Sequence, residues 1–175
     1  MEIKSIVMGP GPSGSLVVLK PRETREGEHA AKLPIRIGGI EATAISMGVE
    51  KKTGARPLTH DLLASVIEAL DAQVESVRIT AVTGTTFYAQ VELSDAMGQH
   101  HYLDARPSDA IALAVRCGAR IWADEKVLET ASMPDFASVE ADEKQAEMDE
   151  FHSFVENLSP EDFDMTPDHP DDQNQ

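Results

Sequence analysis

The sequence predicts an α+β fold, a mixed sheet with an antiparallel meander packed against helices, followed by an acidic C-terminal helical tail. Two observations predict it. Strand-like and helix-like segments alternate irregularly, and three strand-like segments run in succession between residues 74 and 104. Charge is also unevenly placed: residues 1–136 carry 14 Lys+Arg against 18 Asp+Glu, whereas residues 137–175 carry 1 against 13. Most of the net charge of −16 therefore sits on the tail. The expected organisation is a folded domain over 1–134, an amphipathic appendage over 135–164 and a disordered end over 165–175.

The first strands are expected at 3–8 and 16–19, separated by a Gly/Pro-rich break at 9–14. A polar loop over 21–32 leads to a strand at 33–37, where Pro34 suits an edge position or a strand start. Residues 40–47 read as a short helix, with Ile40, Ala44 and Met47 at i, i+4 and i+7. The clearest helix spans 58–70. Leu58, Leu62, Leu63, Val66, Ile67 and Leu70 make one apolar stripe, with Thr59 as N-cap and Asp61 in the first turn.

Strands at 74–82, 87–93 and 101–104 form the meander, turning at Thr83-Gly84-Thr85 and at 95–98. An Ala-rich helix follows over 110–116; it is apolar nearly all round, hence buried, and Gly118 ends it. A strand at 120–123 and a helix at 126–130 complete the domain. In the tail, Met148, Phe151, Val155 and Leu158 give an amphipathic helix over 138–158. A further helix start lies at 159–162, and the tail offers a surface for a protein partner.

No run approaches the ~18 apolar residues of a membrane span, and the first residues lack the pattern of a signal peptide. Cys117 has no internal partner for a disulfide, so a cytoplasmic, reducing setting is expected; it reads as a small core residue. One cysteine also excludes a Cys-rich zinc site. The absence of phosphate-loop, dinucleotide and nucleophile-elbow motifs argues for no organic cofactor. An acidic tail repels polyanions, so nucleic acid would not be strongly bound. Exposed sheet edges suggest a homo-oligomer.

The residues that could carry chemistry gather at helix starts. Arg56-Pro57-Leu58-Thr59-His60-Asp61 and Arg106-Pro107-Ser108-Asp109 each place Arg-Pro before a hydroxyl residue and an aspartate. Free N–H groups and the positive end of the helix dipole favour an anion there, and arginine adds a bidentate partner for phosphate. The same residues are also what any helix N-terminus prefers. Glu41, Asp61, Asp104 and Asp109 sit near element ends, and carboxylates of this kind hold Mg²⁺ or Mn²⁺ in many nucleases. Helix dipoles and ion pairs with Arg56 or Arg106 account for them equally well. Of the histidines, only His60 is placed for acid–base work. His100 and His101 point to opposite faces of a strand and cannot share one metal.

Further residues carry a resemblance. The blocks Leu33-Pro34-Ile35-Arg36-Ile37-Gly38, Glu41-Ala42-Thr43-Ala44-Ile45, the two Arg-Pro segments, Thr86-Phe87-Tyr88-Ala89 and Ala110-Ile111-Ala112-Leu113-Ala114 resemble, in order and spacing, the signature blocks of the bifunctional nucleases. They cover about residues 1–132. The resemblance implies an α+β domain acting on DNA and RNA. Its polar signature falls on Glu41, Arg56, Thr59, His60, Asp61, Asp104, Arg106, Ser108 and Asp109. On that basis His60, Asp61, Asp104 and Asp109 are the expected catalytic groups. Arg56, Thr59, Arg106 and Ser108 would bind phosphate, and Glu41, Asp104 and Asp109 would hold a metal. The Gly/Pro stretch at 9–14 and the acidic tail depart from the pattern. The alternative is a non-catalytic anion- or ligand-binding module, or an oligomeric regulatory one. The two Arg-Pro segments are expected to meet in one cleft.

Overall fold

The computed structural model describes residues 1–9, 14–23, 31–51, 56–133 and 148. The chain divides into two compact units, 1–135 and 136–175. The second contributes only Met148, which is helical. The rest of the expected tail helix over 138–158, the helix start at 159–162 and the end from 165 lie outside the described residues. So do most of the Gly/Pro break at 9–14 and of the polar loop at 21–32.

Among the described residues, eleven elements appear in the first unit in the predicted order. They are β1 (Glu2–Val7), β2 (Ser15–Lys20), β3 (Leu33–Ile37), α1 (Gly39–Val49), α2 (Thr59–Ala69), β4 (Gln73–Thr83), β5 (Thr86–Ser94), β6 (His100–Ala105), α3 (Pro107–Cys117), β7 (Arg120–Ala123) and α4 (Glu125–Ala131). The fold is α+β, and its strands form two sheets. One is the antiparallel sheet β1-β2-β3; the other has the order β6-β5-β4-β7 and is mixed, because β7 runs parallel to β4. Turn residues close the meander: Gly84 and Gly98 both take positive φ, which glycine adopts without a Cβ clash.

Helix α3 is central, packing against α1 and α2 as well as β4 and β5. Seven of its eleven residues are buried, among them Ala110 to Ala114, because small side chains let helices and sheet approach closely. The core adds Val17, Leu19, Leu33 and Ile35 from the first sheet and Val77, Ile79, Ala89 and Val91 from the second. These residues follow the period-2 alternation that buries one face of each strand. Gly118, at φ +68°, ends α3 in the left-handed conformation expected of a C-cap glycine. Cys117, expected in the core, is instead exposed at this helix end.

The apolar stripes of α1 and α2 do not face the core. Helix α1 buries Ala42, Ile45 and Gly48, leaving Ile40 exposed, because apolar residues lie on every side of it and the small ones fit against α3. Helix α2 buries no residue completely. Ala64 and Ile67 pack against the core, while Leu62, Leu63, Val66 and Leu70 face outward. Among the described residues, no helix is long and apolar enough to cross a membrane.

Candidate functional site

The site is built on the start of α3. Arg106 is its N-cap, in extended conformation (φ −66°, ψ 143°), and Pro107 is its first helical residue. Proline suits that position because its missing N–H would have no partner there. The helix begins three residues earlier than periodicity suggested, so Ser108 and Asp109 lie inside its first turn. Asp109 Oδ2 accepts from Arg106 Nε at 2.7 Å and Oδ1 from Arg106 Nη2 at 3.2 Å, a bidentate clamp. The remaining face of the guanidinium reaches across to α1, where Arg106 Nη1 donates to Glu41 Oε1 at 3.2 Å.

Helix α2 supplies the fourth member. His60 Nε2 lies 3.2 Å from Asp109 Oδ1, so one carboxylate oxygen serves both the imidazole and the arginine. Burial works against the charge on Asp109, but the hydrogen bonds from Arg106 and His60 outweigh it and its pKa is lowered. The pairing with Asp109 in turn raises the pKa of Arg106. Glu41, His60, Arg106 and Asp109 thus meet at the junction of three helices.

The other candidates have different surroundings. Asp61 Oδ2 accepts the Leu58 backbone N–H at 2.7 Å, and Oδ1 accepts from Arg116 Nε. Leu58, not Thr59, is therefore the N-cap of α2, and an aspartate three residues inside the helix performs the capping. Arg116 is nearly buried and also donates to the carbonyls of Ala44 and Ala112, at 3.0 and 2.8 Å. The Asp61 pKa is lowered, first by Arg116 and then by the Leu58 N–H. Thr59 is exposed at the start of α2. Arg56 precedes that helix, also exposed, and makes no ion pair among the described residues. Asp104 is exposed on β6 opposite Gln90 and likewise pairs with no described residue. The two Arg-Pro segments meet through His60 and Asp109, while Arg56, Asp61 and Asp104 are not joined to that cluster by hydrogen bonds or ion pairs.

Two openings flank the cluster. A polar cleft of about 300 Å³ is lined by Arg36, Glu41, Thr85, Thr86, Arg106 and Ser108, among others. It borders the starts of both α1 and α3. An apolar groove of about 310 Å³ is lined by Ile40, Thr43, Ala44, Met47, Leu58, Thr59 and His60. Arg36, Thr85 and Thr86 were assigned no role from sequence. Arg36 and Thr86 lie in the blocks at 33–38 and 86–89 and Thr85 in the turn before the second, and alternation with buried Ile35 and Ile37 turns Arg36 away from the core.

The carboxylates do not fit a resident divalent ion in this arrangement. Arg106 bridges Glu41 and Asp109, so a cation held by both would have to displace the guanidinium. No group of three His, Cys, Asp or Glu among the described residues is arranged to hold a metal. His100 and His101 are engaged separately, by Glu92 at 3.0 Å and Asp95 at 2.7 Å.

Comparison with known proteins agrees with the signature blocks. The chain is 37% identical over 146 residues to two uncharacterized proteins of Mycobacterium tuberculosis, Rv1829 of strain H37Rv and MT1877 of strain CDC 1551. In each case the match covers 81% of this chain and 87% of the relative. A family model described as the bifunctional nuclease domain matches residues 17–135, which include both helix starts, every residue that lines the two openings, and all of α3. The chain belongs to the bifunctional nuclease domain family.

Proposed function

We propose that the polar cleft receives a phosphate group of a nucleic-acid strand and that the domain hydrolyses phosphodiester bonds beside it. The observation that carries this reading is the convergence of Arg36, Arg106, Ser108, Thr85 and Thr86 over two helix starts, with Glu41 the one carboxylate of the lining and paired to Arg106. Arginine forks, hydroxyls and free helix N–H groups are the donors that phosphate oxygens need. Membership of the bifunctional nuclease domain family makes a phosphodiester the first candidate.

His60, which lines the adjoining apolar groove and is joined to Arg106 of the cleft through Asp109, is the acid–base group in this reading. Asp109 holds its Nε2 side, which leaves Nδ1 as the nitrogen that exchanges a proton with water. The imidazole takes that proton as the water oxygen bonds to phosphorus. The bond from phosphorus to the leaving oxygen breaks, and the proton ends on the departing hydroxyl. Arg106, largely exposed, offsets charge on the phosphoryl oxygens. With −12 of the charge on residues 137–175, a short single strand suits the site better than a long duplex.

Purified full-length protein incubated with single-stranded DNA and RNA, with Mg²⁺, Mn²⁺ or a chelator, tests the proposal. Cleavage is expected, and His60→Gln or Arg106→Ala each lowers it about 100-fold or more. Activity that survives both substitutions belongs to a contaminant and defeats the assignment. One observation favours a second reading, a non-catalytic anion-binding module: Arg106 is already held by two carboxylates. Nucleotide binding lost in Arg106→Ala, without turnover in the wild type, would select it.

A further inference from the structure

The outward face of α2 is apolar along its whole length. Leu58, Leu62, Val66 and Leu70 stand at i, i+4, i+8 and i+12, and Leu63 widens the row. Ile40 of α1 lies across the groove that Leu58 also lines. These six side chains are between 36 and 85% exposed. The two acidic residues of α2 do not interrupt the row: Asp61 turns to Arg116, and Glu68 lies off it.

Burying these residues in the core would have been the ordinary use of such a pattern. The core side of α2 is instead made by Ala64 and Ile67. The outward residues together offer on the order of 600 Å² of apolar surface, at or above the largest patch of a typical monomer. A standard interface takes about 800 Å² from each partner, so this row alone supplies about three-quarters of what one needs.

We propose that this face is the interface between two copies of the chain, with α2 packed against α2 across a twofold axis. An i±4 ridge packs into the grooves between i±4 ridges of a second helix, and a twofold axis presents that same ridge from the partner. Each copy carries a net charge of −16, so attraction between copies must come from apolar burial rather than from charge. Added salt, by screening that repulsion, tightens the association. The groove bordered by His60 opens on the same side, through Leu58 and Ile40, and the second copy walls it. The inference rests on the exposed surface alone and holds whether or not the domain is a nuclease.

Sedimentation or light scattering of the full chain tests it. The expected mass at about 100 µM is twice the 19.0 kDa of one chain. Leu62→Glu combined with Val66→Glu raises the dissociation constant more than ~100-fold, because charge enters the centre of the interface. Both side chains are exposed in a single copy, so the melting transition persists. Tyr102→Glu with Leu103→Glu, on the β6 edge, leaves the dimer intact. In a Cys117→Ser background, Val66→Cys cross-links two copies on mild oxidation. A monomeric wild type, which would give the face to the tail or to another protein, overturns the proposal. So does a dimer that survives the α2 pair, dissociates with the β6 pair, or fails to cross-link through position 66.

Discussion

His60 Nε2 and Asp109 Oδ1 lie 3.2 Å apart although 49 positions separate them in the chain. The contact exists because α2 and α3 pack together at their starts, and the Asp109 oxygen that meets the imidazole also meets Arg106. Asp109→Asn removes the anion that positions both groups. Phosphodiester cleavage is expected to fall more than ~10-fold with the circular dichroism spectrum unchanged, measured as initial rates on a labelled single strand.

Asp61 and Arg116 carry a structural role. Asp61 caps α2 through the Leu58 N–H and supplies the carboxylate for an arginine that is nearly buried. Asp61→Ala removes both interactions at once. Because Asp61 itself is 37% exposed, water replaces part of what is lost, and the expected cost is about 1–2 kcal/mol. Denaturant unfolding checks it, and an unchanged midpoint would show that Arg116 is held by the two carbonyls alone.

Acid should destabilise the domain in a defined direction. Asp61 and Asp109 have lowered pKa values in the folded protein, so the unfolded chain takes up their protons first as pH falls. Their contribution is complete above the unfolded value of about 3.9 and is lost as pH drops through the lower folded values. The thermal midpoint should therefore decline below about pH 4. The decline should be shallower in Asp61→Asn, and parallel curves for variant and wild type would contradict the assignment.

Gly48 lies where α1 closely approaches α3. A Cβ there would stand 2.6 Å from Val115 Cγ2 and 2.7 Å from Arg116 Nη1, and the arginine is fixed by three partners. Gly48→Ala forces the helices apart or shifts the guanidinium, and should cost about 1–3 kcal/mol despite alanine's better helix propensity. A gain in melting temperature would show that the junction yields freely.

The elements were largely legible in the sequence because each has a local cause. Alternation in Val77, Ile79 and Val91 marks strands, and the Ala-rich run from Ala110 marks a helix buried on most sides. Gly118 marks a helix end through its own backbone freedom. The Arg-Pro segments could likewise be read as helix starts, since proline and acidic residues act within one turn.

Which faces met, and which carboxylate met which cation, was decided by tertiary packing. Periodicity shows that α2 has an apolar side but not that small Ala64 and Ile67 would face the core and the leucines the solvent. Asp61 and Asp109 are equivalent as letters, each an acid in a first helical turn. Arg106 reaches Asp109 locally, three residues along the same helix start, but Arg116 meets Asp61 and His60 meets Asp109 only because the helices cross at their chosen angles. The sequence by itself determined the list of elements and the chemistry at their ends. The division of that chemistry between a structural ion pair and a candidate site came from long-range packing, because hydrogen bonds act over about 3 Å and no local pattern encodes such a distance.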